Sequence, residues 1–337
     1  MGANPKMPRL PLTLACWDYD RTRALLEDRL AVDGVDLTGL NLVVEETFFR
    51  MLRHREFDAS EMSLSSYTMT LHSEDRPFIA IPVFPSRSFR HSCIYVNADS
   101  GIREPKDLIG KRVGVPEYQM TAAVWIRGIL NEHYGVPLAS VSYYSGGEEQ
   151  PGRIEKSPIT LPPDIKLQPI PHDRTLAQMI STGEIDALYT ARMPSTFSTS
   201  AASPVRRLFA NYDQVEREYY QKTRIFPTMH TIVIRRDVYE KHPWIAQSLC
   251  KAFTLAKRDA QRELTETTAL KVMLPWLTRH LEDTQQLMGE DFWPYGLDAN
   301  RLVLETFLRY HFEQGLSKRL LKPEELFAPE SLESFRI

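Results

Sequence analysis

The chain has 337 residues, of which 42% are hydrophobic and 25% are charged, with a formal net charge of −3. This is the composition of an ordinary globular protein, and its length predicts two lobes rather than one core. The slightly acidic balance, without a basic stripe interleaved with aromatic residues, argues against a nucleic-acid partner. No apolar run reaches the roughly 20 residues that span a bilayer, so we expect no membrane partner.

The three cysteines, Cys16, Cys93 and Cys250, lie far apart and in no metal-binding spacing. They are typical of buried thiols in a reducing compartment. The run LPLTLAC ending at Cys16 faintly resembles a lipoprotein cleavage box, but it is shorter than a signal core and Pro11 interrupts it. We therefore expect a first buried strand here and a mature cytoplasmic protein.

Strand and helix patterns alternate along the first part of the chain. Apolar runs predict strands over residues 12–16 and 40–45 and from residue 57, and helical periodicity predicts helices over 22–29 and 47–53. Alternation of this kind predicts a mostly parallel sheet with covering helices.

The alternation begins again after residue 98. The predicted elements are strands over residues 112–115, 141–144 and 187–189, and helices over 121–134 and 176–181. We therefore predict an inserted second lobe over residues 98–203, with a first lobe formed by residues 1–97 and 204–337. Residues 145–172 hold six prolines and predict a lid or an oligomer contact, because irregular segments of this length are usually functional. We expect a homo-oligomer.

The last third returns to the first sheet and then becomes helical. The run MHTIVIRR from Met229 predicts the returning strand. Helices are predicted over residues 243–264, over 266–288 with a kink at Pro275, and over 300–314. The fold class is thus α/β, with two mixed sheets flanked by helices and a helical C-terminal extension.

A cationic cluster stands out between residues 81 and 97, where Arg87, Arg90 and His91 join two β-type runs. Positive charge in a slightly acidic chain usually has an anionic target. Two interpretations remain open: a small carboxylate held in a pocket, or ordinary ion pairs with surface acids, which contribute little.

Further candidates follow the predicted strands, because ligands bind beyond the carboxyl ends of strands in open α/β sheets. They are Asp18, Ser63 and Ser65 in the first lobe, Glu117, Tyr118, Gln119, Thr121, Tyr189 and Arg192 in the second, and His230 at the return crossover. Cations, hydroxyls and aromatic rings together suit a polar aromatic acid, and the helix starting near Thr121 adds free N–H groups. The plainer alternatives are that Asp18 caps a helix and that the serines are turn residues.

Several chemistries lack their sequence signatures. There is no HExxH or HxH motif, so we expect no metal site. No glycine-rich phosphate loop follows a strand, and no G-x-S-x-G elbow is present. We therefore expect no cofactor.

Long segments of the chain resemble known families. Residues 107–130, DLIGKRVGVPEYQMTAAVWIRGIL, look like the second-lobe entry of type II periplasmic solute-binding proteins. Five segments are similar to the 4,5-dihydroxyphthalate decarboxylase family: VEETFFRML from residue 44, FDASEMSLSSY from 57, FIAIPVFPSRSFRHS from 78, IDALYTARMPSTF from 185, and YGLDANRLVLETFLRYHFEQGLSKRLL from 295. The likeness covers nearly the whole chain.

This resemblance implies a cytoplasmic carboxy-lyase built on a solute-binding scaffold, with a small aromatic dicarboxylate as its substrate. Under it, Arg87 and Arg90 are expected to hold a substrate carboxylate. His91 is the first candidate for the proton donor and His230 the second. Glu117, Tyr118 and Asp18 are expected to hold the catechol oxygens. The alternatives are a non-catalytic carboxylate-binding protein and a lyase that acts on a different hydroxybenzoate.

Overall fold

The computed structural model describes residues 8–332, which form two mixed β-sheets covered by helices. The strands in chain order are β1 (Leu10–Cys16), β2 (Val35–Asn41), β3 (Ala59–Ser63), β4 (Phe78–Ile81), β5 (Ile94–Asn97), β6 (Arg112–Val115), β7 (Ser142–Ser145), β8 (Lys166–Pro169), β9 (Ala187–Tyr189), β10 (Val205–Arg207) and β11 (His230–Arg235). The helices are α1 (Asp20–Leu26), α2 (Val44–His54), α3 (Leu64–Thr70), α4 (Thr121–Tyr134), α5 (Leu176–Thr182), α6 (Tyr212–Thr223), α7 (Arg236–Lys241), α8 (Ile245–Leu264), α9 (Leu277–Met288) and α10 (Arg301–Glu313).

The first sheet has the order β2-β1-β3-β11-β4. Strands β1, β2 and β3 run parallel, and β11 is antiparallel to both β3 and β4. The amino end of β11 therefore lies beside the carboxyl end of β3, with His230 opposite Ser63. This register brings the end of one crossover to the edge of the sheet where ligands bind in such folds.

The second sheet has the order β10-β5-β9-β6-β7-β8. Strands β6 to β9 are parallel, whereas β5 is antiparallel to its neighbours β9 and β10. Both β5 and β10 belong to this sheet, so its strands extend a few residues beyond the predicted insertion at 98–203. The two-sheet α/β architecture confirms the predicted fold class.

Two predicted elements differ most from the structure in their bounds. The apolar run at 40–45 was predicted as a strand, but β2 ends at Asn41 and α2 begins at Val44. The predicted helix over 266–288 begins only at Leu277. Pro275 accounts for the second difference, because a proline lacks the N–H of the helix ladder and disfavours helical backbone in the residue before it.

Helix α4 joins the two halves of the molecule. Ten of its fourteen residues are buried, and Gly128 has no Cβ because the ring of Tyr310 on α10 occupies that space, 2.1 Å from where a Cβ would lie. Beyond α10, the Gln314 amide donates to the Val124 carbonyl (2.9 Å) and accepts from Arg127 Nε (2.7 Å). The C-terminal extension is thus part of the core, fastened to the second-lobe helix.

None of the helices within residues 8–332 is long and apolar enough to cross a membrane.

Candidate functional site

A cavity of about 230 Å³ lies between the two sheets. Its wall includes the beginning of α2, the end of β3 and the start of β11 on one side, and the start of α4 and the residues after β9 on the other. Its lining holds five side chains that can carry a positive charge, Arg90, Arg153, Lys156, Arg192 and His230, and one carboxylate, Glu45. A larger cavity of about 610 Å³ lies between residues 69–73, 157–162 and 315–318. We regard the smaller one as the candidate site because it lies at the carboxyl ends of the strands and concentrates the cations.

His230 is held by a buried carboxylate. Its Nδ1 lies 2.6 Å from Oε1 of Glu61, and Glu61 is fully buried in β3. The same carboxylate accepts hydrogen bonds from the Tyr19 hydroxyl (2.7 Å) and from the Trp17 N–H (3.1 Å). The ring of His230 also packs edge-on against Phe48, with centroids 4.9 Å apart. A carboxylate at Nδ1 fixes the orientation of the imidazole and leaves Nε2 for another partner.

The hydrogen bonds to Glu61 offset the cost of burying its charge. Burial alone raises the pKa of Glu61, but the hydrogen bond and charge of His230, with the Tyr19 and Trp17 donors, outweigh burial and hold that pKa below its usual range. The reverse effect acts on Tyr19, whose pKa is raised by burial and by the neighbouring Glu61 carboxylate. Glu61 is therefore an ionised group, and Tyr19 is a neutral donor to it.

Arg90 lines the cavity without a direct ion pair, although its charge acts to lower the pKa of the nearby Glu216, which burial raises. Its residue is only 7% exposed, and its guanidinium contacts sulfur atoms: Nε lies 3.1 Å from Sδ of Met229 and Nη1 lies 3.5 Å from Sγ of Cys93. Thioether and thiol sulfurs are weak acceptors, and within residues 8–332 no carboxylate lies within ion-pair distance of Arg90. A buried cation with only sulfur partners favours an anionic ligand.

Two further cations come from the proline-rich segment and share one acid. Arg153 Nη2 lies 2.5 Å and Lys156 Nζ lies 2.9 Å from Oε1 of Glu117. The carboxylate of Glu117 is 1% exposed, whereas Arg153 and Lys156 reach the cavity. Glu155 from the same segment accepts the Tyr118 N–H at 2.5 Å. Residues 153–157 thus pack against the start of α4 and form one wall of the cavity.

Two contacts cross the cleft between the sheets. At the cavity rim, Arg192 after β9 forms an ion pair with Glu45 of α2 (2.6 Å). Deeper inside, the hydroxyls of Ser63 and Thr121 are 2.9 Å apart, and Thr121 also accepts the Ser65 N–H. Thr121 is the first residue of α4, and the helix has no side-chain cap, so the N–H groups of its first turn add positive potential at the cavity.

Five of the residues singled out from the sequence line this cavity, namely Ser63, Arg90, Thr121, Arg192 and His230. Arg87 does not. Its guanidinium donates to the carbonyls of Phe226 (3.0 Å) and Pro294 (2.7 Å) and to the Asn300 side chain. Arg87 therefore ties the crossover to the loop before α10, and the structure gives no basis for its expected role as a substrate cation.

His91 also lies outside the cavity, in an aromatic cluster with Tyr134, Phe209 and Tyr219 at centroid distances of 5.1–5.8 Å. Neither ring nitrogen has a hydrogen-bond partner within the described part of the chain. Burial lowers the pKa of His91 to about 4, so the ring is neutral near neutral pH. A neutral imidazole among aromatic rings lies away from this cavity, so its surroundings give no support to the predicted role of His91 as proton donor.

Five of the six remaining candidates have structural partners, and the sixth, Tyr189, is buried without a hydrogen-bond partner for its hydroxyl among the described residues. Asp18 is on the surface, 2.8 Å from Arg23; Ser65 contacts His311 Nε2 at 3.0 Å; Tyr118 donates to the Gln314 carbonyl; Gln119 donates to Glu155; Glu117 anchors Arg153 and Lys156; and Tyr189 is 1% exposed. None of these six lines the cavity. They support the wall of the cavity or lie away from it.

Glu61, Arg153 and Lys156 were missed from the sequence. A signal for Glu61 existed: a lone carboxylate inside the otherwise uncharged run ASEMS of a predicted buried strand needs a partner. Arg153 and Lys156 carry no such signal, because they lie in an irregular segment without periodicity. No group of three or more His, Cys, Asp or Glu side chains among residues 8–332 is arranged to hold a metal ion.

The two sheets, with a ligand-sized cavity between them, define a periplasmic-binding-protein-like α/β protein. The periplasmic aliphatic sulphonate binding protein of Escherichia coli superposes with a TM-score of 0.54 at 13% identity, covering 95% of this chain and 97% of its own. A crystal structure from Archaeoglobus fulgidus gives 0.52 at 14% identity, covering 91% and 98%. At such identities the likeness shows the fold alone.

Sequence comparison defines the family. The chain is 44% identical over 331 residues to a 4,5-dihydroxyphthalate decarboxylase of Comamonas testosteroni, covering 98% of this chain and 100% of that relative. A second 4,5-dihydroxyphthalate decarboxylase, from Pseudomonas putida, is 41% identical over 215 residues, covering 64% of this chain and 83% of the relative. The chain belongs to the 4,5-dihydroxyphthalate decarboxylase family. No protein-family profile matches it.

Proposed function

We propose that this chain is a carboxy-lyase that converts 4,5-dihydroxyphthalate to 3,4-dihydroxybenzoate (protocatechuate) and CO2. Membership of the decarboxylase family supports the activity. The observation in the fold that carries it is the combination, in one cavity, of a carboxylate-bound imidazole, His230, and a buried guanidinium, Arg90, that forms no ion pair with any of residues 8–332.

The reaction needs a proton donor and a place for negative charge. Each carboxylate of the substrate is para to a hydroxyl group. Loss of the hydroxyl proton lets an oxygen electron pair move through the ring, and the carbon that carries the departing carboxylate then takes a proton. The carbon–carbon bond breaks, its electron pair restores the aromatic ring, and CO2 leaves. Reprotonation of the oxygen completes the cycle.

In this proposal Arg90 binds the carboxylate that the product retains. A guanidinium presents paired N–H donors that match a carboxylate, and the sulfur contacts of Arg90 leave part of that donor set for a ligand. A cation on the departing carboxylate would instead stabilise the ground state. We therefore assign the departing group to a part of the cavity away from the Arg90 guanidinium.

His230 is the proposed proton donor. Glu61 occupies Nδ1, so Nε2 is the nitrogen left to deliver a proton to the ring carbon. The role of Glu61 is that of an orienting carboxylate, which holds the imidazole in one direction and stabilises the geometry for transfer.

A non-catalytic carboxylate-binding protein is the second candidate. The fold neighbours include binding proteins of small sulphonates, and a cationic cavity alone is enough to bind an acid. The His230–Glu61 pair favours the lyase. Anion binding alone needs only a positive charge, which another arginine would supply, whereas a buried ionised carboxylate that orients a histidine is suited to proton transfer.

One assay separates the two candidates. Purified protein is incubated with 4,5-dihydroxyphthalate while CO2 release and protocatechuate are followed, with and without a chelator. We expect turnover that the chelator leaves unchanged, in line with the expectation that no metal or cofactor is needed. Tight binding without product formation would favour the binding protein, and loss of turnover on chelation would show a metal requirement.

We also propose that the chain forms a homo-oligomer in the cytoplasm. Exposed apolar side chains between α8 and α9 support self-association, with Met273 fully exposed and Trp276 71% exposed. The three cysteines are unpaired, as is usual in a reducing compartment. Light scattering after size-exclusion chromatography, and fractionation of the native host cells, test the two statements.

A further inference from the structure

We propose that Lys156 and Arg153 form an oxyanion site for the ring hydroxyls, which binds the substrate as a catecholate and selects acids that carry a hydroxyl para to the departing carboxylate. This inference rests on the proposed lyase activity and assigns a specificity role that Arg90 and His230 do not fill.

The charge balance at this wall supports an anion site. Two cations share the single carboxylate of Glu117, with Lys156 Nζ at 2.9 Å and Arg153 Nε at 2.9 Å from the same oxygen. Glu155, which lies between the two cations in the sequence, is directed to the Tyr118 N–H and the Gln119 amide instead. The group formed by Lys156, Arg153 and Glu117 therefore carries one positive charge in excess.

The orientation of these groups directs that charge to the cavity. The Glu117 side chain is 1% exposed, whereas those of Lys156 and Arg153 are 17% and 33% exposed. The acid thus lies behind the cations, and the cations lie between the acid and the cavity. A buried counter-ion of this kind holds two donors in place and leaves some of their N–H groups for a ligand.

The site lies beside the proposed proton donor. Lys156 Nζ is 5.9 Å from the centroid of the Phe48 ring, and the His230 ring is 4.9 Å from the same centroid. Phe48 therefore lies near both Lys156 and His230. A substrate ring that lies against Phe48 can present a ring carbon to His230 and an oxygen to Lys156 at the same time.

The chemistry requires such a group. A phenol has an ordinary pKa of about 10, so near neutral pH the hydroxyl keeps the proton whose loss activates the ring. A cation in a water-poor cavity favours the ionised oxygen. On binding, the hydroxyl proton leaves to solvent; the oxygen electron pair then delocalises to the para carbon, which takes the proton of His230, and His230 is reprotonated from solvent after CO2 has left.

The plainer interpretation is that both ion pairs only fasten the proline-rich segment to the start of α4. The two interpretations differ in their ligand dependence. Fastening affects every ligand alike, whereas an oxyanion site affects only ligands that carry the hydroxyls.

The test compares two probes, protocatechuate and benzoate, by calorimetry, and follows bound protocatechuate by ultraviolet difference spectra across pH. In the wild-type protein we expect bound protocatechuate to ionise at lower pH than the free acid. Lys156→Met should weaken the binding of protocatechuate roughly tenfold to hundredfold, the value of a charge-assisted hydrogen bond, and remove the spectral shift. The affinity for benzoate should stay within about twofold of the wild-type value. Arg153→Met should act in the same direction.

Glu117→Gln is the matched control, because it removes the anchor and keeps both cations. We expect it to preserve the preference for protocatechuate over benzoate. Equal losses for both probes in Lys156→Met, or an unshifted spectrum in the wild-type protein, would overturn the proposal. These are binding measurements, so a wild-type protein that shows the catecholate shift without forming CO2 would refute the lyase activity and leave the oxyanion site standing.

Discussion

Glu61 and His230 are diagonal neighbours on one face of the first sheet. Strand β11 pairs with β3 so that His230 lies opposite Ser63 and Ile232 lies opposite Glu61, and the Nδ1–Oε1 distance is 2.6 Å. Side chains in such diagonal positions can reach each other across antiparallel strands. The sheet register, rather than a flexible loop, therefore sets the position of the proposed proton donor.

Replacement of Glu61 by Gln should lower kcat and leave KM nearly unchanged. The amide keeps the size of the side chain but removes the charge that orients His230, so we expect a loss of roughly 10²-fold or more in kcat. Steady-state kinetics over a range of pH measure this. Asp58→Asn is the control, because Asp58 lies on the same segment and bonds to Thr13. A Gln variant with unchanged kcat and pH profile would show that Glu61 serves only the fold.

Replacement of His230 by Asn should separate binding from turnover. Arg90 and the proline-rich wall remain, so protocatechuate should still bind within a few-fold, whereas proton transfer should fall by roughly 10²–10⁴-fold. Isothermal calorimetry and product formation measure the two quantities. His280→Asn, on the exposed face of α9, is the control. Full turnover in the His230 variant would require another proton donor.

Arg90 and Arg87 should differ in what their loss affects. Arg90→Met should weaken carboxylate binding by roughly tenfold to hundredfold, because a charge-assisted hydrogen bond is lost, with little change in stability. Arg87→Met leaves the Phe226 carbonyl and the Asn300 side-chain oxygen without their donor, and the Pro294 carbonyl with only its bond from the Asn300 amide. It should cost about 3 kcal/mol of unfolding free energy. Calorimetric binding and urea unfolding of both variants test this. Similar effects of both variants on both measurements would contradict the assignment.

The fold could largely be predicted from the sequence where the apolar periodicity agrees with the residues that end helices and strands. The helix predicted over 121–134 is α4 with the same bounds, and Gly135 ends it with a φ of 66°. Its apolar periodicity extends over nearly four turns, and glycine is the residue that most easily adopts a left-handed conformation. The run at 40–45 failed because it is short and apolar, and such runs do not distinguish the end of a strand from the start of a helix.

The site could be predicted only in part, because the order of residues in the sequence does not specify which side chains of a crossover segment face the cleft. Arg87 and Arg90 are three residues apart, yet one binds backbone carbonyls and the other lines the cavity. Glu61 and His230 are 169 residues apart, and only the pairing of β11 with β3 brings them together. Long-range pairing of this kind follows from tertiary packing, which local patterns do not specify.

The last prediction concerns His91 and the stability of the fold in acid. Burial among Tyr134, Phe209 and Tyr219, together with the charge of nearby His133, lowers the folded-state pKa of His91 to about 4, against about 6.5 in an unfolded chain. The unfolded state therefore binds the proton first. The contribution of neutral His91 to the free energy of unfolding is fully present above about pH 6.5. Below that pH it falls by about 1.4 kcal/mol per pH unit, so that about 2 kcal/mol is lost at about pH 5.

His91→Phe keeps an aromatic ring in the cluster and removes the titrating group. Urea unfolding at about pH 5 and about pH 7.5 should show a smaller loss of stability in this variant than in the wild-type protein, by about 2 kcal/mol. His311, whose pKa burial lowers to about 3, remains in both proteins, so part of the acid sensitivity should persist. His280→Gln is the exposed control and should behave like the wild type. Decarboxylation should survive in His91→Phe, because His91 lies outside the cavity; loss of turnover in a stably folded variant would return His91 to the site.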